Sequence, residues 1–130
     1  MGIWFSFLVI GIGAALGAWL RWGFNVWFNP LLSQLPLGTL AANLVGGLLM
    51  GIMIALINRY PSFSPELRLA LVTGFLGGLT TFSTFSGETV SLFLNREFIW
   101  GTLNVIGHVA GSLLMTLAGI AGAGWIFRNF

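Results

Sequence analysis

Apolar residues fill this chain in four long blocks, residues 3–28, 37–57, 67–94 and 98–127, with few charges inside any of them. A helix rising 1.5 Å per residue needs roughly 20 apolar residues to cross about 30 Å of hydrocarbon, so each block is long enough to span a bilayer. The connections are short: 29–36 and 58–66 hold two prolines each, and 95–97 is barely a turn. The pattern predicts an all-α membrane protein, with residues 1–130 forming a single four-helix transmembrane domain and no water-soluble part for chemistry.

Composition agrees. Charged residues make up 6% of the chain and hydrophobic ones 57%, against about 25% charged in ordinary soluble domains. The first block starts uncharged and outruns the apolar core of a signal peptide, so it is expected to remain as a span. The chain has no cysteine, which excludes disulfides and thiolate metal sites. A net charge of +2 is too sparse for a nucleic-acid footprint. All the basic residues are arginines: Arg59, Arg68 and Arg128 fall near one face of a four-span bundle, Arg96 near the other, and Arg21 in the last third of the first span. The positive-inside bias is therefore weak, and it leaves open both a fixed orientation and insertion in both directions.

Each block carries a glycine pair four residues apart: Gly13 and Gly17, Gly47 and Gly51, Gly74 and Gly78, Gly107 and Gly111. Lipid gives helices no hydrophobic drive to associate, so close backbone approach at glycine is expected to hold them together. Four such helices enclose little more than their own side chains. A polar pathway would form more naturally between subunits, which points to an oligomer.

The third block is interrupted by Gly77 to Ser86, which places five hydroxyls, two glycines and two phenylalanines in an apolar stretch. Unpaired backbone at membrane depth persists only if buried in protein or lining a polar cavity, so the segment suggests a broken helix around a small polar ligand. Phe82 and Phe85, three apart, can share a face, where their positive ring edges would suit a small anion or simply pack. Thr81, Ser83 and Thr84 stand beside them, and Glu88 is the one acid deep in a span, where a charge needs a partner, water or a proton. Asn43, in the first third of the second span, offers two N–H donors. Asn104, His108, Ser112 and Thr116 recur every four residues in the fourth span, as a wet track would, although Thr116 is better read as bonding its own helix. Arg21 is open to two readings, a vestibule residue or one that snorkels beside Trp19 and Trp22.

An enzyme is not expected. His108 and Ser112 lie one turn apart, but there is no Asp to orient a base, and one His with one buried carboxylate is too few for a side-chain metal site. A cation could still bind carbonyls of an unwound segment.

Four segments together carry a resemblance: Gly17-Ala18 with Arg21; Gly38-Thr39-Leu40-Ala41-Ala42-Asn43-Leu44-Val45-Gly46; Thr73 through Ser86 with Glu88; and Gly111-Ser112. In these the chain resembles the Fluc (CrcB) family of bacterial fluoride channels over nearly its full length. The resemblance implies an antiparallel, dual-topology homodimer of four-helix subunits, each with a break in the third helix, in the bacterial inner (plasma) membrane. It implies passive, fluoride-selective export that protects the cell from fluoride toxicity. Residue by residue, it assigns Asn43 to the vestibule end of the pore and Phe82 and Phe85 to the ring-edge sites. Thr81, Ser83 and Thr84 become nearby hydroxyl donors, Glu88 lies toward the exit, and Ser112 belongs to the polar track. His108 stands where some members carry a small hydroxyl residue, so its place in the track is open. A structural Na+ on the dimer axis would be held by backbone carbonyls of Gly77 and Thr80. The alternative, a small dual-topology proton-coupled multidrug exporter, resembles its kin by an acid in the first span, and this first span has none.

Overall fold

Proline, glycine and asparagine punctuate the chain where the helices stop. The computed structural model describes residues 2–129. Helix α1 (Ile3–Phe28) runs into a 3-10 turn at Asn29–Leu31, and α2 follows as Leu37–Arg59. Its start after Pro36 is capped from a distance, Gly38 N–H donating to Asn29 Oδ1 at 2.7 Å. Ser64 caps α3 (Pro65–Arg68) by accepting from Leu67 N–H, with Pro65 in the first turn, where its missing N–H costs nothing. A π-helical segment (Leu69–Leu76), α4 (Gly77–Leu79) and α5 (Phe82–Leu94) complete the third run, and α6 (Phe98–Asn129) is the last. The turn from α5 to α6 is a Schellman motif, Glu97 N–H bonding Leu92 O and Arg96 N–H bonding Phe93 O, with Arg96 in the left-handed region at φ 60°.

Among the described residues, four runs are long and apolar enough to cross a membrane: Ile3–Leu31, Leu37–Arg59, Pro65–Leu94 and Phe98–Asn129. Large apolar side chains such as Trp4, Leu94, Ile99 and Leu114 point outward, as suits a protein solvated by lipid. α2 packs mainly on α6, while the π-helical segment and α4 pack on α1. After residues 80–81 the third run changes partner, and α5 packs on α6.

The glycines explain both seams. A Cβ on Gly17 would stand 2.7 Å from Leu79 N, and one on Gly78 would stand 2.9 Å from Ala14 Cα, so α1 and α4 touch backbone to backbone. On the other seam Gly47 and Gly51 meet the α6 backbone, and the α6 glycine that approaches α2 backbone is Gly119. Gly107 and Gly111, the pair expected there, meet only side chains of Leu40 and Leu44.

The backbone irregularity also differs from expectation. Gly77 and Gly78 are helical, and the extended residues are Thr80 (φ −86°, ψ 155°) and Thr81 (φ −149°, ψ 119°). Glycine here serves the seam with α1, whereas extended backbone is adopted where the Asn43 side chain of α2 and the hydroxyl of Thr81 itself can take over the hydrogen bonds.

Candidate ion pathway

Thr81 is the centre of the site. Its N–H donates to Asn43 Oδ1 at 2.8 Å, and its carbonyl accepts from Asn43 Nδ2 at 3.0 Å. Its hydroxyl accepts from Thr84 N–H at 3.2 Å and so caps α5. An α-helix continuing through this point would have used the Thr81 N–H on the Gly77 carbonyl and the Thr84 N–H on the Thr80 carbonyl. Both donors are diverted to side chains. The Gly78 carbonyl is taken by Arg21 Nε at 3.1 Å, so Arg21 supports the end of α4 from the first span.

Asn43 reaches the fourth span as well, its Nδ2 lying 2.8 Å from His108 Nδ1. The His108 ring packs on Phe85, centroids 4.5 Å apart and planes inclined 30°. Phe82 meets Phe85 edge-on at 5.6 Å and 72°. The two phenylalanines nevertheless differ sharply: Phe85 is 8% exposed, Phe82 78%. The rings make contact, yet one is core of this chain and the other projects from it.

One turn further along α5 is a second polar layer. Thr39 Oγ1 donates to Glu88 Oε1 at 2.6 Å. Asn104 Nδ2 donates to Thr89 Oγ1 at 3.0 Å, and that hydroxyl donates to the Phe85 carbonyl at 2.8 Å. Among the described residues, three buried side-chain polar atoms have no partner, Glu88 Oε2, Asn104 Oδ1 and His108 Nε2. All three belong to these layers between α2, α5 and α6.

Two clefts lie end to end along α5. The first, about 450 Å³, is lined by Asn43, Thr80, Thr81, Phe82, Phe85, His108 and Ser112 among others, and no arginine, lysine or carboxylate borders it. The second, about 530 Å³, begins at Glu88 and is bordered by Asn29, Ser33, Gln34, Ser91 and Glu97. The first gathers amide, hydroxyl and aromatic side chains with no fixed charge to trap an ion, and both N–H groups of its Asn43 amide are already turned to the Thr81 carbonyl and His108 Nδ1; the second is a polar mouth.

Over residues 8–120 the chain matches the family described as CrcB-like protein, Camphor Resistance (CrcB). The chain belongs to the CrcB family. A protein of Nitrosospira multiformis named "Fluoride-specific ion channel FluC" is 52% identical over 129 residues, covering 99% of this chain and all of that protein. Proteins of the same name from Pseudomonas putida (55% identical, 89% of this chain and 91% of that one) and Aromatoleum aromaticum (57%, 89% and 88%) are similarly close. These names describe a channel and no catalyst.

In this CrcB chain the predicted site residues fall into groups. Asn43, Thr81, Phe85, His108 and Ser112 converge on the first cleft with Phe82 at its rim, whereas Glu88 lies on the second. Thr84 is tied to the α5 cap, and Ser83 Oγ stands 3.4 Å from Thr81 Oγ1. Thr116 donates to the carbonyls of Gly47 and Ser112, each at 3.0 Å, so it belongs to the α2–α6 seam. Thr39 and Thr89 were missed. Each lies four residues from a predicted one, Asn43 and Phe85, and that helical spacing was the signal available.

Proposed function

We propose that this chain is a fluoride-selective channel through which fluoride leaves the cell passively, protecting it from fluoride toxicity. The observation that carries the reading is the first cleft, which gathers an amide, hydroxyls and two phenylalanine side chains and no charged side chain. Fluoride is small and strongly hydrated, so a pore must replace its water with N–H and O–H donors. Binding must be strong enough to admit the ion and weak enough to release it, and a fixed cation would work against release. The names of the close relatives point to the same ion. A proton-coupled exporter is not favoured, because the first span and the first cleft both lack a carboxylate.

The working form is an antiparallel homodimer inserted in both orientations in the bacterial inner membrane. Polar backbone and side chains cannot face hydrocarbon, so the open side of the first cleft, with Phe82 at its edge, calls for protein. A second copy supplies that cover, and the weak arginine bias suits two-way insertion. A structural Na+ would be held by the Gly77 and Thr80 carbonyls. These are two of the carbonyls that lose their helical donors at the interruption, the donors going to Asn43 and to Thr81 Oγ1, and bare carbonyls suit a hard cation. Its role would be to neutralise carbonyl dipoles at membrane depth.

The test is fluoride efflux from liposomes followed with an electrode, beside chloride and a cationic dye. Selective fluoride efflux is expected; dye transport without it would overturn the reading. For topology, single cysteines placed in the 58–66 connection should label from both sides of a sealed membrane, and labelling from one side alone would exclude the antiparallel form.

A further inference from the structure

His108 is the only histidine in the chain, it is 4% exposed, and its environment determines where its proton sits. A backbone N–H can only donate, so the Asn43 atom 2.8 Å from Thr81 N is the amide oxygen. The other terminal atom of Asn43 is therefore its NH2 group, which can only donate, and it faces His108 Nδ1 at 2.8 Å. Nδ1 must then present a lone pair, and in a neutral imidazole the proton lies on Nε2. The alternatives conflict. A proton on Nδ1 would set two donors against each other, and turning the amide over would set its NH2 against the Thr81 N–H.

We infer that His108, as the neutral Nε2–H tautomer, is a positioning residue of the pathway: Nδ1 holds the Asn43 amide while the ring face holds Phe85. The amide orientation, the extended backbone of Thr81 and the tautomer of His108 form one linked arrangement. The Phe85 residue is gripped by α6 at two levels. The His108 ring packs on its ring at 4.5 Å, and one turn away Asn104, through Thr89, secures its carbonyl. His108 therefore acts through Asn43 and Phe85, by fixing where an amide and a ring edge stand at the first cleft. The inference rests on the channel reading for its consequence but not for its geometry.

Histidine-selective 15N labelling of the protein in lipid gives one imidazole to observe. The native chain should show a protonated Nε2 and a bare Nδ1. Asn43→Asp keeps the size of the side chain but removes its NH2, and should move the proton to Nδ1. In the liposome efflux assay His108→Ala should lower flux about tenfold, in line with loss of a buried polar partner. His108→Asn, which returns an acceptor to Asn43, and His108→Phe, which returns a ring to Phe85, should each recover part of the loss. An Nδ1–H tautomer in the native protein, a tautomer indifferent to Asn43→Asp, or native flux in His108→Ala would overturn the inference. If His108→Ala fails to assemble on size exclusion, the spectra of the native and Asn43→Asp proteins decide. The predicted tautomer change between the native and Asn43→Asp proteins, together with a native protein that passes no fluoride, would support the positioning of Asn43 by His108 and overturn the channel reading instead.

Discussion

The amide of Asn43 closes a two-point hydrogen-bonded ring with the backbone of Thr81, accepting its N–H at 2.8 Å and donating to its carbonyl at 3.0 Å. A side chain of the second span thus takes the Thr81 N–H that the preceding helical turn would have held, and the third run can depart from α1 and join α6 with that donor still satisfied.

Asn43→Ala should therefore damage the fold as well as conduction. It leaves both Thr81 backbone groups without their partner, and each unsatisfied buried group costs about 1–3 kcal/mol. Thermal melting in detergent should show a lower Tm, and fluoride efflux should be lost. An unchanged Tm would mean that Thr81 finds other partners.

Phe82→Ile and Phe85→Ile should both depress flux steeply, because an aliphatic group has no positive ring edge. Their effects on the subunit should differ. Phe82 is exposed and its replacement should leave the intrinsic stability of the subunit unchanged, while Phe85 loses its packing on His108 and should cost about 1.5 kcal/mol. Efflux measured beside size exclusion separates these effects, and well-folded forms of both variants conducting like the native protein would make the rings packing residues.

Thr39→Val and Glu88→Gln act on one hydrogen bond from opposite ends. Glutamine keeps an oxygen that can accept from Thr39 Oγ1, so Glu88→Gln should fold nearly as the native chain does. Valine removes the donor and leaves the buried carboxyl unpaired, at about 1.5–3 kcal/mol if that group is charged. Denaturation of the two variants should rank Thr39→Val as the less stable, and the reverse order would show that the carboxyl is held by something other than Thr39.

Adjacent glycines should respond differently to alanine. A Cβ on Gly77 meets nothing closer than Val72 O at 3.8 Å, so Gly77→Ala should assemble. A Cβ on Gly78 collides with the Ala14 backbone, and Gly78→Ala should lower Tm by forcing α1 and α4 apart. If Na+ sits at the Gly77 and Thr80 carbonyls, the bulky Gly77→Leu should also abolish any gain in Tm on adding sodium. A native Tm and flux that are the same after exhaustive sodium removal would count against a structural ion.

Much of this was legible in the one-dimensional pattern. Four apolar blocks of about 20 residues or more suit spanning helices, which satisfy their own backbone in hydrocarbon, and the described residues hold four such runs. The Gly77 to Ser86 run contains the two extended residues, Thr80 and Thr81, and these two hydroxyl residues, with Phe82, Phe85 and Asn43, line one cleft, whereas Ser83, Thr84 and Ser86 do not. What decided the details was which backbone lay opposite. The π-helical turns at Leu69–Leu76 have no signature in a run of Leu, Ala, Val, Thr, Gly and Phe. Gly107 and Gly119 are the same residue to a sequence, and only packing against Leu48 and Ile52 makes Gly119 the point of close approach. Periodicity placed Phe82 and Phe85 on one face, but the inter-helix contacts bury Phe85 against His108 and leave Phe82 outside. Which helices must cross the membrane follows from side-chain hydrophobicity, a property each residue carries alone; which donor meets which acceptor is a property of pairs far apart in the chain, and only the tertiary structure brings Asn43, Thr81 and His108 within bonding distance.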